Sequence, residues 1–315
     1  MTQENLGQVI GNSEPEALQH TLWQCLKGEI SPAVAIMGLL IQTQDVERVA
    51  NLLGGVTDRI SALPPTAAEH QRAAEIHRLF QEHRDGCARI AQMLRDGVNT
   101  GVLAHSSKEG ISRFAQLFDW AVQQSEEASV ALYSLGDSQL LHEATAEVIS
   151  LLDAWEVLEP ERTVLQIGCG IGRFEAMLSS RVREVHGIDV APGMVDAARR
   201  RCRGFANVHI QVCSGHDLGL FGEGVFDLVY AVDTFPYLYQ AGPDLVERHF
   251  VEVARVLKHG GDFVIFNFTY RGTPEADRMD VQELSRRHGF AVVVNGSSLL
   301  QLWDGRAWWL RRVAR

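Results

Sequence analysis

The spacing of apolar and polar residues changes character near residue 130. Before it, apolar residues recur every three or four positions, the signature of amphipathic helices. Glu16 to Lys27 carries Ala17, Leu18, Leu22 and Leu26 at that spacing, with Asn12 and Ser13 upstream as candidate caps. Ser31-Pro32 sets a capping hydroxyl before a first-turn proline and starts a helix over Ala33–Ile41. Gln44 to Leu53 continues the pattern and is expected to stop at Gly54-Gly55. A turn-rich stretch with Pro64-Pro65 follows. Further helices are predicted over Ala67–Gln81, Ala88–Arg95 and Ser112–Gln124, with a loop over Gly97–Gly110.

Beyond Val130 a helix over Ser138–Leu152 leads into short apolar runs alternating with helical stretches. The runs are Thr163–Ile167, Glu184–Ile188, Val208–Val212, Phe226–Val232, Asp262–Phe268 and Phe290–Val294. This alternation predicts a mainly parallel sheet with helices on both faces. The Asp304-Gly305 turn signal before a last strand, Arg306 to Arg312, predicts that the sheet finishes with a reversed strand. The expected organisation is an all-α domain over residues 1–128 and an α/β domain over 129–315.

Chemistry concentrates at the first strand-to-helix junction. Gly168-Cys169-Gly170-Ile-Gly172 lets the backbone turn sharply and lets a ligand approach the amides without meeting a Cβ. Asp189, twenty-one residues after Gly168, ends the second strand, where a carboxylate accepts hydrogen bonds from both hydroxyls of a ribose. A nucleoside-bearing cofactor is therefore expected across the ends of the first two strands. Dinucleotide sites carry G-x-G-x-x-G, whereas here the third glycine comes one residue early and bulky Arg173 follows.

Composition narrows the class of ligand. With 29 Lys and Arg against 40 Asp and Glu, the net charge of −11 argues against a protein that lives on phosphate backbones. The five cysteines form no C-x-x-C pair, and His70, His77 and His83 lack a tight ligand spacing, so no metal site is expected. The first residues lack a basic leader, and the longest apolar run, Ala33–Ile41, falls far short of the ~20 residues of a membrane span. A soluble, cytoplasmic protein without nucleic-acid or membrane partners is expected.

The G-x-G-x-G spacing, the reversed last strand and Leu257-Lys-His-Gly260-Gly261-Asp before the fifth strand resemble class I S-adenosylmethionine-dependent methyltransferases over roughly Val130 to Arg315. The resemblance implies a Rossmann-like, doubly wound seven-stranded sheet and S-adenosylmethionine as cofactor. It places Gly168, Cys169, Gly170 and Gly172 beneath the methionine half, Asp189 on the ribose, and Val190 and Met194 beside the adenine. Ser214, Gly215 and His216 would meet the adenine edge, with Asp233 near the sulfonium and the acceptor. Asp233 and Tyr237 are the candidate catalytic residues; Tyr239, Asn267, Tyr270, Tyr133, His142 and Trp303 are further side chains for the acceptor side. Gln166 departs from the Asp or Glu common at its position. The acceptor is expected to be a small molecule with an O, N or S nucleophile, and the helical domain to cap the acceptor pocket or pair two subunits as a homodimer. Protein or RNA methylation, and a cofactor-binding scaffold or sensor without catalysis, stay open as alternatives.

Overall fold

A computed structural model of the chain describes residues 14–60, 67–97 and 106–313. The expectations for Asn12, Ser13 and Pro64-Pro65, and most of the Gly97–Gly110 loop, lie outside these residues. The chain divides into two compact units. One comprises Met1–Val98, Gln124–Ala144 and Gln301–Asp304; the other comprises Asn99–Gln123, Thr145–Leu300 and Gly305–Arg315.

The first unit is helical: Glu16–Lys27, Pro32–Thr43, Val46–Ile60, Ala67–Glu82 and Arg84–Gly97, followed by the short helix Glu126–Val130. Ser31 Oγ accepts the Val34 N–H at 3.2 Å and Pro32 occupies the first turn, as the sequence predicts. The Gly54-Gly55 stop does not occur, because the helix continues to Ile60. Val56 and Ile60 beyond the glycines are buried. Burying each is worth ~1.5–3 kcal/mol, against about 1 kcal/mol for each helical glycine. Gly86 permits a close crossing: a Cβ there would stand 1.9 Å from the Leu135 carbonyl oxygen.

The second unit is built on a seven-stranded sheet. Its strands are β1 (Thr163–Ile167), β2 (Glu184–Asp189), β3 (Val208–Val212), β4 (Phe226–Val232), β5 (Leu257–Phe266), β6 (Phe290–Ser298) and β7 (Arg306–Arg312), in the order β3-β2-β1-β4-β5-β7-β6. Strands β1 to β5 pair in parallel, and β7 runs antiparallel to both β5 and β6. The reversed strand is thus inserted between β5 and β6. β1 is buried at every position, as a central parallel strand must be. β5 starts five residues earlier than expected: Lys258 to Gly261 form an irregularity, with Gly260 at φ 78°, between the pairs Phe226–Leu257 and Leu228–Asp262.

The helix Ser107–Gln124 packs on this unit. Phe114 is buried among core residues that include Phe235, Leu238 and Ala241, with Ile111, Leu117 and Phe118 against the same cluster. Gly110 allows the approach, since a Cβ there would stand 2.5 Å from the Ala241 carbonyl oxygen. Among the described residues, no helix is long and apolar enough to cross a membrane.

Candidate functional site

The loop after β1 is fixed by its own backbone. The amides of Gly168 and Cys169 both donate to the Ile188 carbonyl, at 2.8 and 2.9 Å, tying the loop to β2. Gly168, Gly170 and Gly172 all lie at positive φ (75°, 53° and 75°), which explains the residue type. Two of them also answer to packing. A Cβ on Gly168 would stand 2.2 Å from Thr234 Oγ1, and one on Gly172 would stand 2.9 Å from the Ala198 Cα. Cys169 is buried, so it offers the site its backbone rather than its thiol, and burial pushes that thiol well above its ordinary pKa.

Asp189 closes the loop from the neighbouring strand. Its Oδ2 accepts the Gly170 N–H at 2.9 Å and its Oδ1 the Ala191 N–H at 3.0 Å. Burial raises its pKa, and the amides of Ala191, Gly170 and Val190 pull it back. Each carboxylate oxygen retains a lone pair for another donor. Beneath the loop, buried Gln166 accepts the Tyr230 hydroxyl at 3.0 Å and donates to the Gly168 carbonyl at 3.4 Å. Only a group with both an acceptor and a donor makes that pair of contacts, which gives the amide a structural reason.

The helix Ser107–Gln124 borders the same end of the sheet. Asp119 Oδ1 accepts the Gly193 N–H at 2.6 Å, at the start of the helix Pro192–Arg201 that follows Asp189. A Cβ on Gly215 would meet Val190 at 2.6 Å and Ile111 at 2.9 Å, so these three residues converge. Ser214 is exposed and its Oγ accepts the His216 N–H at 3.2 Å, whereas Met194 is interior. Asp119 and Ile111 were missed in the sequence. Their helix shows an apolar stripe there, but not which unit receives it.

At the ends of β4 and β5, Asp233 and Asn267 both take left-handed backbone conformations, φ 57° and 61°. Asn267 Nδ2 donates to Asp233 Oδ1 at 3.0 Å. Asn267 is itself clamped to β7 by two hydrogen bonds with the Arg306 backbone, at 2.8 and 3.0 Å. Paired non-glycine residues in this strained region are characteristic of functional sites. The Tyr237 ring meets Phe114, Phe118 and Tyr270 edge-on at 5.2, 5.0 and 6.0 Å. Burial and then the nearby Asp233 carboxylate push its hydroxyl pKa up. Tyr270 is half exposed beside it. Tyr133 and Trp303 stack on one another in the helical unit.

Among the described residues, a separate trio presents donors suited to a metal ion. Glu184, His186 and His209 hold ligand atoms within 4.8 Å of one another near the opposite ends of β2 and β3. Burial and His209 hold His186 below the usual imidazole range. His70, His77 and His83 are not part of this trio.

Residues 165–265, which span the glycine loop, Asp189 and Asp233, match a family model described as a methyltransferase domain. Over that stretch the chain is similar to methyltransferase domains. Aklanonic acid methyltransferase DauC of Streptomyces sp. (strain C5) is 35% identical over 126 residues, 38% of this chain and 54% of that protein. Demethylmenaquinone methyltransferase of Tropheryma whipplei (strain Twist) is 31% identical over 107 residues, 34% of this chain and 42% of that protein. The chain thus spans about half the length of the curated relatives it matches. The solved structure of Haemonchus contortus phosphoethanolamine N-methyltransferase 1, in complex with phosphoethanolamine and S-adenosylhomocysteine, superposes with a TM-score of 0.55 at 17% identity. It covers 67% of this chain and 50% of that one, and shares the fold. The cofactor that this similarity implies is S-adenosylmethionine. The residues present fit it: a positive-φ glycine loop at the strand ends, and a carboxylate with lone pairs to spare beside it.

Proposed function

We propose that the chain is a methyltransferase acting on a small-molecule acceptor. The observation that carries this is the closed bracket of Gly170 and Asp189 within the matched domain, with a second polar pair, Asp233 and Asn267, two strands away. S-Adenosylmethionine, when bound, supplies an electrophilic methyl on a sulfonium, which passes by in-line displacement to an O, N or S nucleophile.

The chain's own residues align and desolvate the partners. Gly168, Gly170, Gly172 and the Cys169 backbone hold the methionine half, and Asp189 accepts the ribose hydroxyls. Val190, with Met194, borders the adenine, and Ser214, Gly215 and His216 meet its edge. Asp233, oriented by Asn267, takes the proton of a weakly acidic acceptor. Tyr237, walled by Phe114 and Phe118, keeps water from that carboxylate and offers its hydroxyl to the acceptor.

A small acceptor is supported by the net charge of −11 and by the small molecules for which DauC and the demethylmenaquinone enzyme are named. The test is release of S-adenosylhomocysteine from S-adenosylmethionine in the presence of a panel of phenols, carboxylic acids, amines and thiols. Acceptor-dependent release from one class establishes the activity, and release from none across a broad panel refutes it.

A further inference from the structure

Under the glycine loop lies a carboxyl that the proposed chemistry does not use. Glu175 stands in the first turn of the helix Arg173–Leu178. It is fully buried, and neither carboxyl oxygen has a hydrogen-bond partner. By contrast Asp262, equally buried, receives Arg162, Trp309 and Arg311 at 2.9, 2.8 and 3.0 Å. A buried acid without donors is an exception that calls for a physical reason.

Its position supplies one. Glu175 Oε1 fills the space above Gly187: a Cβ on that glycine would stand 2.7 Å from Oε1 and 2.9 Å from the Cys169 Cβ. Gly187 pairs across the sheet with Gln166, and Gln166 with Tyr230. The carboxyl therefore occupies the row of the sheet on which the glycine loop rests, close under Cys169. The groups facing it are Arg173 on its own helix, Cys169 in the loop, Asp189 on β2, Cys202 after the helix Pro192–Arg201, and Tyr230 on β4. Burial pushes the thiols of Cys169 and Cys202 and the Tyr230 hydroxyl upward, so all three stay neutral around pH 7, and Arg173 is a permanent cation. Burial above all, helped by the Asp189 charge, pushes the Glu175 pKa up to about 8 against the opposing pulls of its own backbone amide and of Arg173. In so poorly screened a setting, a charge placed on the loop acts strongly on the carboxyl.

We propose that Glu175 is a charge-specificity residue of the cofactor site, giving up its proton when a cation occupies the loop above it and so favouring S-adenosylmethionine over the neutral S-adenosylhomocysteine. The proposal rests on the cofactor assignment. The proton leaves to solvent, and the carboxylate that forms balances the sulfonium. When that charge leaves with the methyl group, the carboxylate takes its proton back, and the product is held less tightly.

The test is calorimetric titration of the full chain with each ligand between about pH 6 and 8.5, in two buffers of different ionisation enthalpy. The sulfonium also lowers the pKa of the ligand's own amino group, a contribution common to wild type and variant, so the difference between their affinity ratios isolates Glu175. In the wild type, proton release is expected with S-adenosylmethionine only. The affinity ratio should rise with pH, about tenfold for each unit by which the cation lowers the acid. Glu175→Gln should lose the rise that Glu175 contributes, leaving in its ratio only the pH dependence of the ligand's amino group. A flat ratio in the wild type overturns the proposal, as does a rise that survives undiminished in Glu175→Gln. If that variant does not fold, the wild-type titrations in the two buffers decide alone. A chain that binds neither ligand at any pH overturns the cofactor assignment, and the proposal with it.

Discussion

Replacing Glu175 by glutamine should stabilise the chain, and by more as the pH rises. The carboxyl is buried without donors, and its pKa stands at about 8 against 4.5 for the free acid. In the unfolded chain the proton leaves near the lower value; in the fold it stays until the higher one. Between the two, the folded state binds more protons than the unfolded state, so stability falls as pH rises, by about 1.4 kcal/mol per unit. The accumulated loss is about 3 kcal/mol at pH 7 and levels off near 5 kcal/mol above pH 8. Glutamine carries no such penalty. Any fixed cost of the amide is the same at every pH, so the difference between variant and wild type isolates the proton. Urea unfolding of both at about pH 5, 7 and 8.5 measures it, with the variant's advantage growing by several kcal/mol across the series. An offset that is constant with pH would show that Glu175 ionises as an ordinary acid, and the reasoning from its burial would fall.

Asp189→Ala should weaken S-adenosylmethionine binding by about 1–3 kcal/mol, roughly 5- to 150-fold, and calorimetry reads this directly; unchanged affinity would mean that the ribose lies elsewhere. Gly172→Ala combines a left-handed backbone with a Cβ 2.9 Å from the Ala198 Cα, so it should cost more than ~1 kcal/mol in denaturant unfolding. Asp119→Ala removes the acceptor for the Gly193 amide and should cost about 0.5–2 kcal/mol, a helix-cap loss visible as a lower unfolding midpoint. Once an acceptor is known, Asp233→Asn should lower turnover by roughly 10²- to 10⁴-fold with cofactor affinity nearly unchanged. A turnover close to wild type would remove Asp233 as the base.

The strands were legible because each is a short apolar run bounded by turn residues, and β1, β3, β4 and β7 begin and end where their runs do. The glycine loop and Asp189 were legible because positive φ and a strand-end carboxylate leave marks in residue type. Other features depend on partners distant in the chain. Nothing in Gly54-Gly55 reveals that Val56 and Ile60 have a core to enter. The insertion of β7 between β5 and β6 follows from pairing rather than from the Asp304-Gly305 turn. Phe114 and Phe118 fall within the helix expected over Ser112–Gln124, but nothing in them reveals its seat against the sheet, and Asp119 gains meaning only from that seat. Glu175 reads as an ordinary first-turn acid until Gly187 is found opposite it.

The first experiment to make is calorimetric titration of the wild-type chain and of Gly170→Val with S-adenosylmethionine, NAD and NADP. Saturable one-to-one binding of S-adenosylmethionine by the wild type, its loss in Gly170→Val with the fold retained, and no heat from either nicotinamide cofactor are expected. Binding of NAD or NADP in place of S-adenosylmethionine would mean that the glycine loop holds a dinucleotide, and the methyl-transfer chemistry built on it would have to be given up.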